Sequence, residues 1–168
     1  MDVVWIGRGG QGAFTAAKVL GAAYSMREGG GYALAFPSFG PERRGAPVRA
    51  FTKLSEKPVS NRCEVSRGDY AVYLDETLFP GGSAAGAPIV SSREAVEGAI
   101  AIDARGIGEG IFGSPIVNTA MLGALARVWG GVSLDDVCEG IERVMAERHW
   151  ERNKEAAGAA YDAAGDSL

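Results

Sequence analysis

A glycine-rich turn lies between a short apolar run and an alanine-rich stretch at the start of the chain. The apolar run is Val3–Ile6, the turn is Gly7-Arg8-Gly9-Gly10-Gln11-Gly12, and the stretch extends from about Gln11 to Met26. A continuous apolar run is typical of a buried parallel strand. A turn of the form G-x-G-x-x-G between a strand and a helix is typical of nucleotide-binding βα units. The turn therefore predicts an α/β fold.

The remaining pattern extends this α/β prediction along the chain. The further predicted strands are Tyr32–Phe36, Val48–Leu54, Tyr70–Leu74, Pro88–Val90 and Ala99–Ile102, with Asn61–Val65 as a hairpin partner of the second of these. Helices are predicted over Val117–Trp129, with Ser114 as its cap and Pro115 in its first turn, and after a capped start at Ser133. We expect one domain over residues 1–168, a three-layer Rossmann-like fold with a mostly parallel sheet and an inserted or edge β-hairpin. Residues 150–168 are predicted as a polar tail, either a last helix or a frayed end.

Composition excludes several classes of protein. The chain has 168 residues, enough for one domain with a real core. It shows no signal peptide and no apolar stretch near the roughly 20 residues that span a bilayer, so we expect a soluble, cytoplasmic protein. The net charge of −4 argues against nucleic acid as a partner. Seven basic residues against three acidic ones between positions 41 and 67 nevertheless predict an anionic ligand or an acidic partner surface there.

Few residues offer catalytic chemistry. Cys63 and Cys138 belong to no C-x-x-C pair, so no zinc or iron–sulfur ligand set is predicted, and both are expected to be buried free thiols. His149 is the only histidine and is predicted at the surface near a helix end. Asp75 and Asp103 each follow a predicted strand and are interpreted as caps or turn formers. We assign no catalytic residue and no metal ligand.

The glycine turn has two interpretations. Gly7, Arg8, Gly9, Gly10, Gln11 and Gly12 form a candidate phosphate loop, because a helix N-terminus offers free N–H groups and positive charge to an anion. A dinucleotide site also needs an acidic residue near the end of the second strand. Phe36-Pro37-Ser38 occupies that place. A packing turn without a ligand is therefore the equal alternative.

A second candidate site follows the second strand. The segment 40–49 carries Glu42, Arg43, Arg44 and Arg49 among prolines and glycines. Its arginines could fork onto phosphate or carboxylate groups, or form ion pairs across a subunit interface. A solvated charged loop is the third interpretation.

Three segments together resemble one family. They are the glycine turn with its helix, the stretch from Phe36 to Phe51, and the stretch from Val117 to Ala124. The family is the gamma subunit of the 2-oxoacid:ferredoxin oxidoreductases, especially the pyruvate and 2-ketoisovalerate enzymes. The resemblance extends to about Met145.

The resemblance implies a subunit of an enzyme that converts a 2-oxoacid, coenzyme A and oxidised ferredoxin to acyl-CoA, carbon dioxide and reduced ferredoxin. Thiamine diphosphate with Mg and the 4Fe–4S clusters would belong to the alpha, beta and delta subunits, so this chain would bind none of them alone and would be inactive in isolation. It implies coenzyme A or subunit contacts for Glu42, Arg43, Arg44 and Arg49. Pyruvate is the expected substrate, with no nucleic acid or membrane partner. The alternatives are a stand-alone NAD(P)-binding reductase and a structural interaction module.

Overall fold

The computed structural model describes residues 1–38, 45–81 and 87–166. Its elements, in chain order, are β1 (Asp2–Arg8), α1 (Ala13–Met26), β2 (Tyr32–Pro37), β3 (Pro47–Ser55), β4 (Tyr70–Tyr73), β5 (Ala87–Ser91), β6 (Ile100–Ile102), α2 (Ala104–Phe112), α3 (Asn118–Trp129), α4 (Leu134–Val144) and α5 (Trp150–Gly165). A short 3-10 turn at Glu76–Leu78 follows β4, and a second one at Glu147–His149 directly precedes α5.

The strands form one six-stranded sheet in the order β2-β3-β1-β4-β5-β6. Strands β1, β4, β5 and β6 pair in parallel, whereas β3 is antiparallel to both of its neighbours. The α/β class, the mostly parallel sheet and the hairpin at its edge are confirmed.

The hairpin partner predicted from the sequence was wrong. Strand β3 pairs with β2 on one side and with β1 on the other, so neither edge of β3 is free for Asn61–Val65. That segment has no regular secondary structure. The hairpin consists instead of β2 and β3.

The main core lies on one face of the sheet. Alternate strand residues such as Val3, Trp5 and Val72 face this core, to which all five helices contribute. Helices α1 and α3 pack on the sheet, α4 packs on α1, and α5 packs on α3 and contacts α2 and α4. The three layers in the described residues are thus the sheet and two successive sets of helices.

The opposite face of the sheet carries two smaller apolar clusters. One centres on Val4, Phe36 and Phe51, with Val65 packed against it. The other centres on Ala71, Tyr73 and Val90 and is covered by loop residues, among them Phe79. Among the described residues, this face is covered by connecting segments and not by helices.

A buried polar chain fixes α1 against the strands. Trp5 Nε1 donates to Thr52 Oγ1 at 3.0 Å, and the Thr52 hydroxyl donates to the Ala17 carbonyl of α1 at 3.0 Å. Both polar groups are fully buried, so each needs its partner to avoid a desolvation penalty. The chain sets the position of the α1 N-terminus relative to the end of β1.

Two helix predictions were wrong. Helix α2 was not predicted, because its three glycines lower the intrinsic helix propensity by about 1 kcal/mol each. Asp103 caps this helix by accepting from Gly106 N at 2.7 Å, which confirms its predicted role. Ser114 caps nothing, since α3 begins only at Asn118 and its N-cap residue is Val117. The Ile116 backbone instead approaches Gly108 of α2, leaving no room for a Cβ there.

Helix α5 is packed along most of its length. Ala156, Ala157, Ala160 and Ala164 are buried, and a Cβ on Gly123 of α3 would lie 2.0 Å from the Ala157 carbonyl oxygen. The two helices therefore meet backbone to backbone. Thr119 of α3 donates to Asn153 of α5 at 2.9 Å inside this contact.

The remaining predictions concern single side chains. Cys63 is exposed and Cys138 is half-buried, so the two thiols are free but not buried as predicted. Cys63 follows Asn61 in an irregular loop, which the predicted strand would have buried. His149 is exposed directly before α5, as expected. No helix among the described residues has the length and apolarity needed to cross a membrane.

Candidate functional site

The glycine turn joins β1 to α1 with its own internal hydrogen bonds. Gln11 N donates to the Arg8 carbonyl at 3.0 Å, and Arg8 N donates back to Gln11 Oε1 at 2.6 Å. Gly12 is the N-cap residue of α1 and has a φ of 83°, a left-handed conformation that favours glycine. The turn is therefore closed by Gln11 and ends in a position that only glycine occupies easily.

The same glycine lies against the start of α3. A Cβ on Gly12 would lie 2.6 Å from Asn118 Nδ2, so the Asn118 amide covers the Gly12 α-carbon. Asn118 is only 7% exposed and is the first residue of α3. The N-termini of α1 and α3 thus meet at a largely buried side-chain amide.

These two helix N-termini differ from that of α4. Helix α4 has a complete capping box from Ser133 and Asp136 and two acidic residues in its first turn. Helices α1 and α3 have no side-chain cap and no acidic residue in the first turn. The positive ends of α1 and α3 therefore have no competing side-chain cap or first-turn carboxylate, which favours an anion beside them.

Arg8 crosses from the end of β1 to two other segments. Its Nε lies 2.9 Å from Asp75 Oδ2, its Nη1 donates to the Gly45 carbonyl at 3.1 Å, and its Nη2 donates to Thr77 Oγ1 at 2.7 Å. Burial alone would raise the pKa of Asp75, but the hydrogen bonds from the Thr77 hydroxyl, the Thr77 backbone and Arg8 outweigh it and lower that pKa. Asp75 also caps the turn at Glu76–Leu78, as predicted. The lowered pKa keeps the Asp75 carboxyl ionised at neutral pH.

An open groove of about 990 Å³ lies at the carboxyl ends of β1, β4 and β5. It is bordered by the glycine turn, the Asp75 turn, the segment after β5, helix α2 and the segment before α3; its lining includes Arg8, Gln11, Asp75, Thr77, Ser91, Ser92, Arg93, Arg105, Glu109 and Val117. Arg93 and Arg105 both pair with Glu109, at 2.8 and 3.2 Å. We call this cavity the strand-end groove. Its position is the usual ligand position of an open α/β sheet.

The predicted arginine segment is only partly described. Glu42, Arg43 and Arg44 lie outside the described residues. Arg49 is exposed on β3 and lines a smaller cavity of about 330 Å³ on the opposite face of the sheet, beside Ile6 and Tyr73. The structure therefore does not bring Arg49 into the strand-end groove. The glycine turn does contact the segment before β3, since Gly9 N donates to the Ala46 carbonyl at 2.9 Å.

The strand order argues against a dinucleotide site. In such a site the second strand lies beside the first, so that an acidic residue at its end reaches the ribose. Here β3 separates β1 from β2, which places the end of β2 about 10 Å from β1. Strand β2 also ends at Pro37, with no carboxylate.

The sequence reasoning missed Thr77 and Ser91, which line the groove, and Asn118, which directly follows the lining residue Val117. Each follows or ends an apolar segment, which is the available signal, but only the fold shows which of these ends meet. Within the described parts of the chain, no three His, Cys, Asp or Glu side chains lie close enough together to hold a metal ion.

Comparisons with known proteins agree on one family. The family model for pyruvate ferredoxin/flavodoxin oxidoreductase matches residues 2–163. The pyruvate synthase subunit PorC of Methanothermobacter thermautotrophicus is 43% identical over 172 residues, which cover 96% of this chain and 94% of that protein. The common subunit gamma of the pyruvate/ketoisovalerate oxidoreductases of Thermococcus kodakarensis is 39% identical, with 96% of each chain covered.

A solved structure shows the same fold. The pyruvate oxidoreductase subunit PORC from Thermotoga maritima superposes with a TM-score of 0.80 at 32% identity, covering 96% of this chain and 95% of that one. These relatives are matched over nearly their whole length, and the matched region includes most of α5. The chain belongs to the pyruvate ferredoxin/flavodoxin oxidoreductase family.

Proposed function

We propose that this chain is the gamma subunit of a heteromeric pyruvate:ferredoxin oxidoreductase and that its strand-end groove holds the phosphate groups of coenzyme A. The names of the relatives support pyruvate as the 2-oxoacid, which is decarboxylated oxidatively to acyl-CoA with reduction of ferredoxin. The observation that carries the coenzyme A assignment is the meeting of two uncapped helix N-termini at Gly12 and Asn118, which directly follow the groove-lining residues Gln11 and Val117.

The redox and thiamine chemistry is assigned to partner subunits. A 4Fe–4S cluster takes four cysteine thiolates, whereas the whole chain has two cysteines, and these lie on a loop and on α4. Alpha, beta and delta subunits would supply thiamine diphosphate, Mg and the clusters, in the cytoplasm. The isolated chain is therefore expected to have no oxidoreductase activity and to co-purify with those subunits.

The anion site is argued from electrostatics. Coenzyme A carries phosphate groups, and a phosphate at a helix N-terminus accepts from free backbone N–H groups in a field that favours negative charge. Both α1 and α3 offer such N-termini without a competing carboxylate in the first turn. The Asn118 amide adds a side-chain donor between them.

The groove has the size that such a ligand needs. Its volume of about 990 Å³ lies at the upper end of the range of roughly 300–1,000 Å³ for small-molecule sites. We also assign Arg43 and Arg44 to the same phosphates, in preference to a subunit interface. The support is that the next two residues in the chain, Gly45 and Ala46, are hydrogen-bonded to Arg8 and Gly9 of the glycine turn.

The test is an isosteric charge change in the assembled enzyme. Asn118→Asp keeps the shape of the side chain and adds a negative charge at the proposed phosphate position. The Michaelis constant for coenzyme A should rise about tenfold or more, because an unpaired like charge in a partly buried site costs at least about 1.4 kcal/mol. Ser133→Asp is the matched control, since it adds the same charge at the N-terminus of α4, away from the groove.

Arg43→Ala/Arg44→Ala, compared with the exposed pair Arg148→Ala/Arg152→Ala, separates the two interpretations of the arginines. The first variant should raise the Michaelis constant for coenzyme A and leave the complex intact by native mass. Dissociation of the complex with an unchanged constant would assign them to a subunit interface. An unchanged constant in Asn118→Asp as well would exclude coenzyme A from the groove.

A further inference from the structure

Arg8 lines the strand-end groove, yet its guanidinium is directed mainly at the protein. Its three nitrogens contact Asp75 at 2.9 Å, the Gly45 carbonyl at 3.1 Å and Thr77 Oγ1 at 2.7 Å. These acceptors belong to two separate segments: Gly45 lies in the loop before β3, and Asp75 and Thr77 lie in the turn after β4. One side chain thus connects the end of β1 to both of these segments.

Asp75 is held just as fully on the other side of the pair. Its Oδ1 accepts from Thr77 N at 3.0 Å and from the Thr77 hydroxyl, while Oδ2 accepts from Arg8 and lies 3.5 Å from Gln11 Nε2. The Asp75 side chain is 18% exposed and that of Arg8 is 38% exposed. Gln11 in turn closes the glycine turn through Arg8 N. The Arg8–Asp75 pair is therefore the point where the glycine turn, the Asp75 turn and Gly45 are joined.

Backbone contacts reinforce this junction. Gly9 N donates to the Ala46 carbonyl at 2.9 Å, and Gly45 N lies 3.3 Å from the Gly9 carbonyl. The glycine turn uses these N–H and C=O groups for the protein and not for a ligand. The charge of Arg8 is likewise neutralised by an ionised carboxylate at hydrogen-bond distance, so Arg8 offers little net charge to an anion.

We propose that Arg8 and Asp75 are positioning residues for coenzyme A: they fix the glycine turn relative to Gly45 and the Asp75 turn, and they do not themselves bind the phosphates. The inference rests on the proposed function of the groove. It gives the turn a role that the phosphate-loop interpretation lacks: the α1 and α3 N-termini face the ligand, and the Arg8 side chain holds the wall beside them.

Asp75→Asn in the assembled enzyme distinguishes positioning from direct binding, because the two roles predict opposite changes in the Michaelis constant for coenzyme A. The variant keeps the shape of the side chain and removes the charge that neutralises Arg8. If Arg8 positions the wall, the weakened contact raises the Michaelis constant for coenzyme A about tenfold, while kcat at saturating coenzyme A is unchanged. If Arg8 binds the phosphate directly, the released charge lowers that constant. A lowered or unchanged constant overturns the inference.

Arg8→Lys is the second variant. It keeps the positive charge but replaces the planar fork with a single ammonium group, which cannot meet the three acceptors in the same geometry. The same rise in the Michaelis constant is expected, and a value equal to that of the unmodified enzyme would contradict the inference. Glu142→Gln is the matched control, because it removes the charge of an ion pair with Lys154 on α4 and α5, far from the groove.

Parallel measurement of Asn118→Asp keeps the two proposals separate. If Asn118→Asp raises the Michaelis constant and Asp75→Asn and Arg8→Lys do not, only the positioning inference is wrong. If none of the three variants changes it, the proposed function of the groove is wrong. Native mass and thermal unfolding of each assembled variant show whether a change in the constant comes from loss of the complex.

Discussion

The contact between α3 and α5 and the strand-end groove are built by opposite means. The helices meet through Gly123 and a row of buried alanines, with backbone atoms in direct contact. The groove is bordered by charged and polar groups, such as Arg8 and Asp75, that remain partly exposed. Close packing without space or unsatisfied groups contributes stability, whereas an open polar edge contributes a place for a ligand. Substitutions in the two regions should therefore change different measured quantities.

The largest expected effect is at the helix contact. Gly123→Leu places a side chain where even a Cβ would lie 2.0 Å from the Ala157 carbonyl oxygen, so α5 must move away from α3. We expect a loss of more than about 3 kcal/mol in the free energy of unfolding, the upper end of the cost of overpacking. Urea unfolding of the isolated chain, followed by circular dichroism, measures it.

Gly158→Ala on α5 is the control for this prediction. A Cβ at Gly158 would lie 3.9 Å from a Leu134 methyl group, an ordinary contact. Because alanine has the higher helix propensity, this variant should be stabilised by up to about 1 kcal/mol. If Gly123→Leu unfolded at the same urea concentration as the unmodified chain, the backbone contact between α3 and α5 would be contradicted.

The two regions also differ in how well the sequence predicts them. Val3–Ile6, Tyr32–Phe36 and Val48–Leu54 were placed as strands because apolar runs and alternation are local signals, and all three are strands within two residues at each end. Helix α2 was not placed, since Gly106, Gly108 and Gly110 remove the local signal and its stability comes from tertiary packing.

The contacts around the groove are predicted from the sequence even less completely than helix α2. Gly12 could be identified from the sequence as a turn residue, and Asp75 as a group at a strand end. That Asn118 covers Gly12, more than 100 positions away in the chain, follows from the packing of α3 beside α1 and has no local signal. The strand order β3-β1-β4, which argues against a dinucleotide site, is likewise a property of the whole sheet.

A smaller loss of stability is expected at Gly12, which lies beside the groove and packs closely against α3. Gly12 and Gly10 both have positive φ values, of 83° and 98°, so alanine at either position costs about 1–2 kcal/mol in backbone conformation. A Cβ at Gly12 would also meet Asn118 Nδ2 at 2.6 Å, whereas the space beside Gly10 is open. Gly12→Ala should therefore destabilise the chain by about 1 kcal/mol more than Gly10→Ala in urea unfolding. Equal losses would mean that Asn118 does not press on Gly12, and the anion site between the two helix N-termini would lose its buried amide.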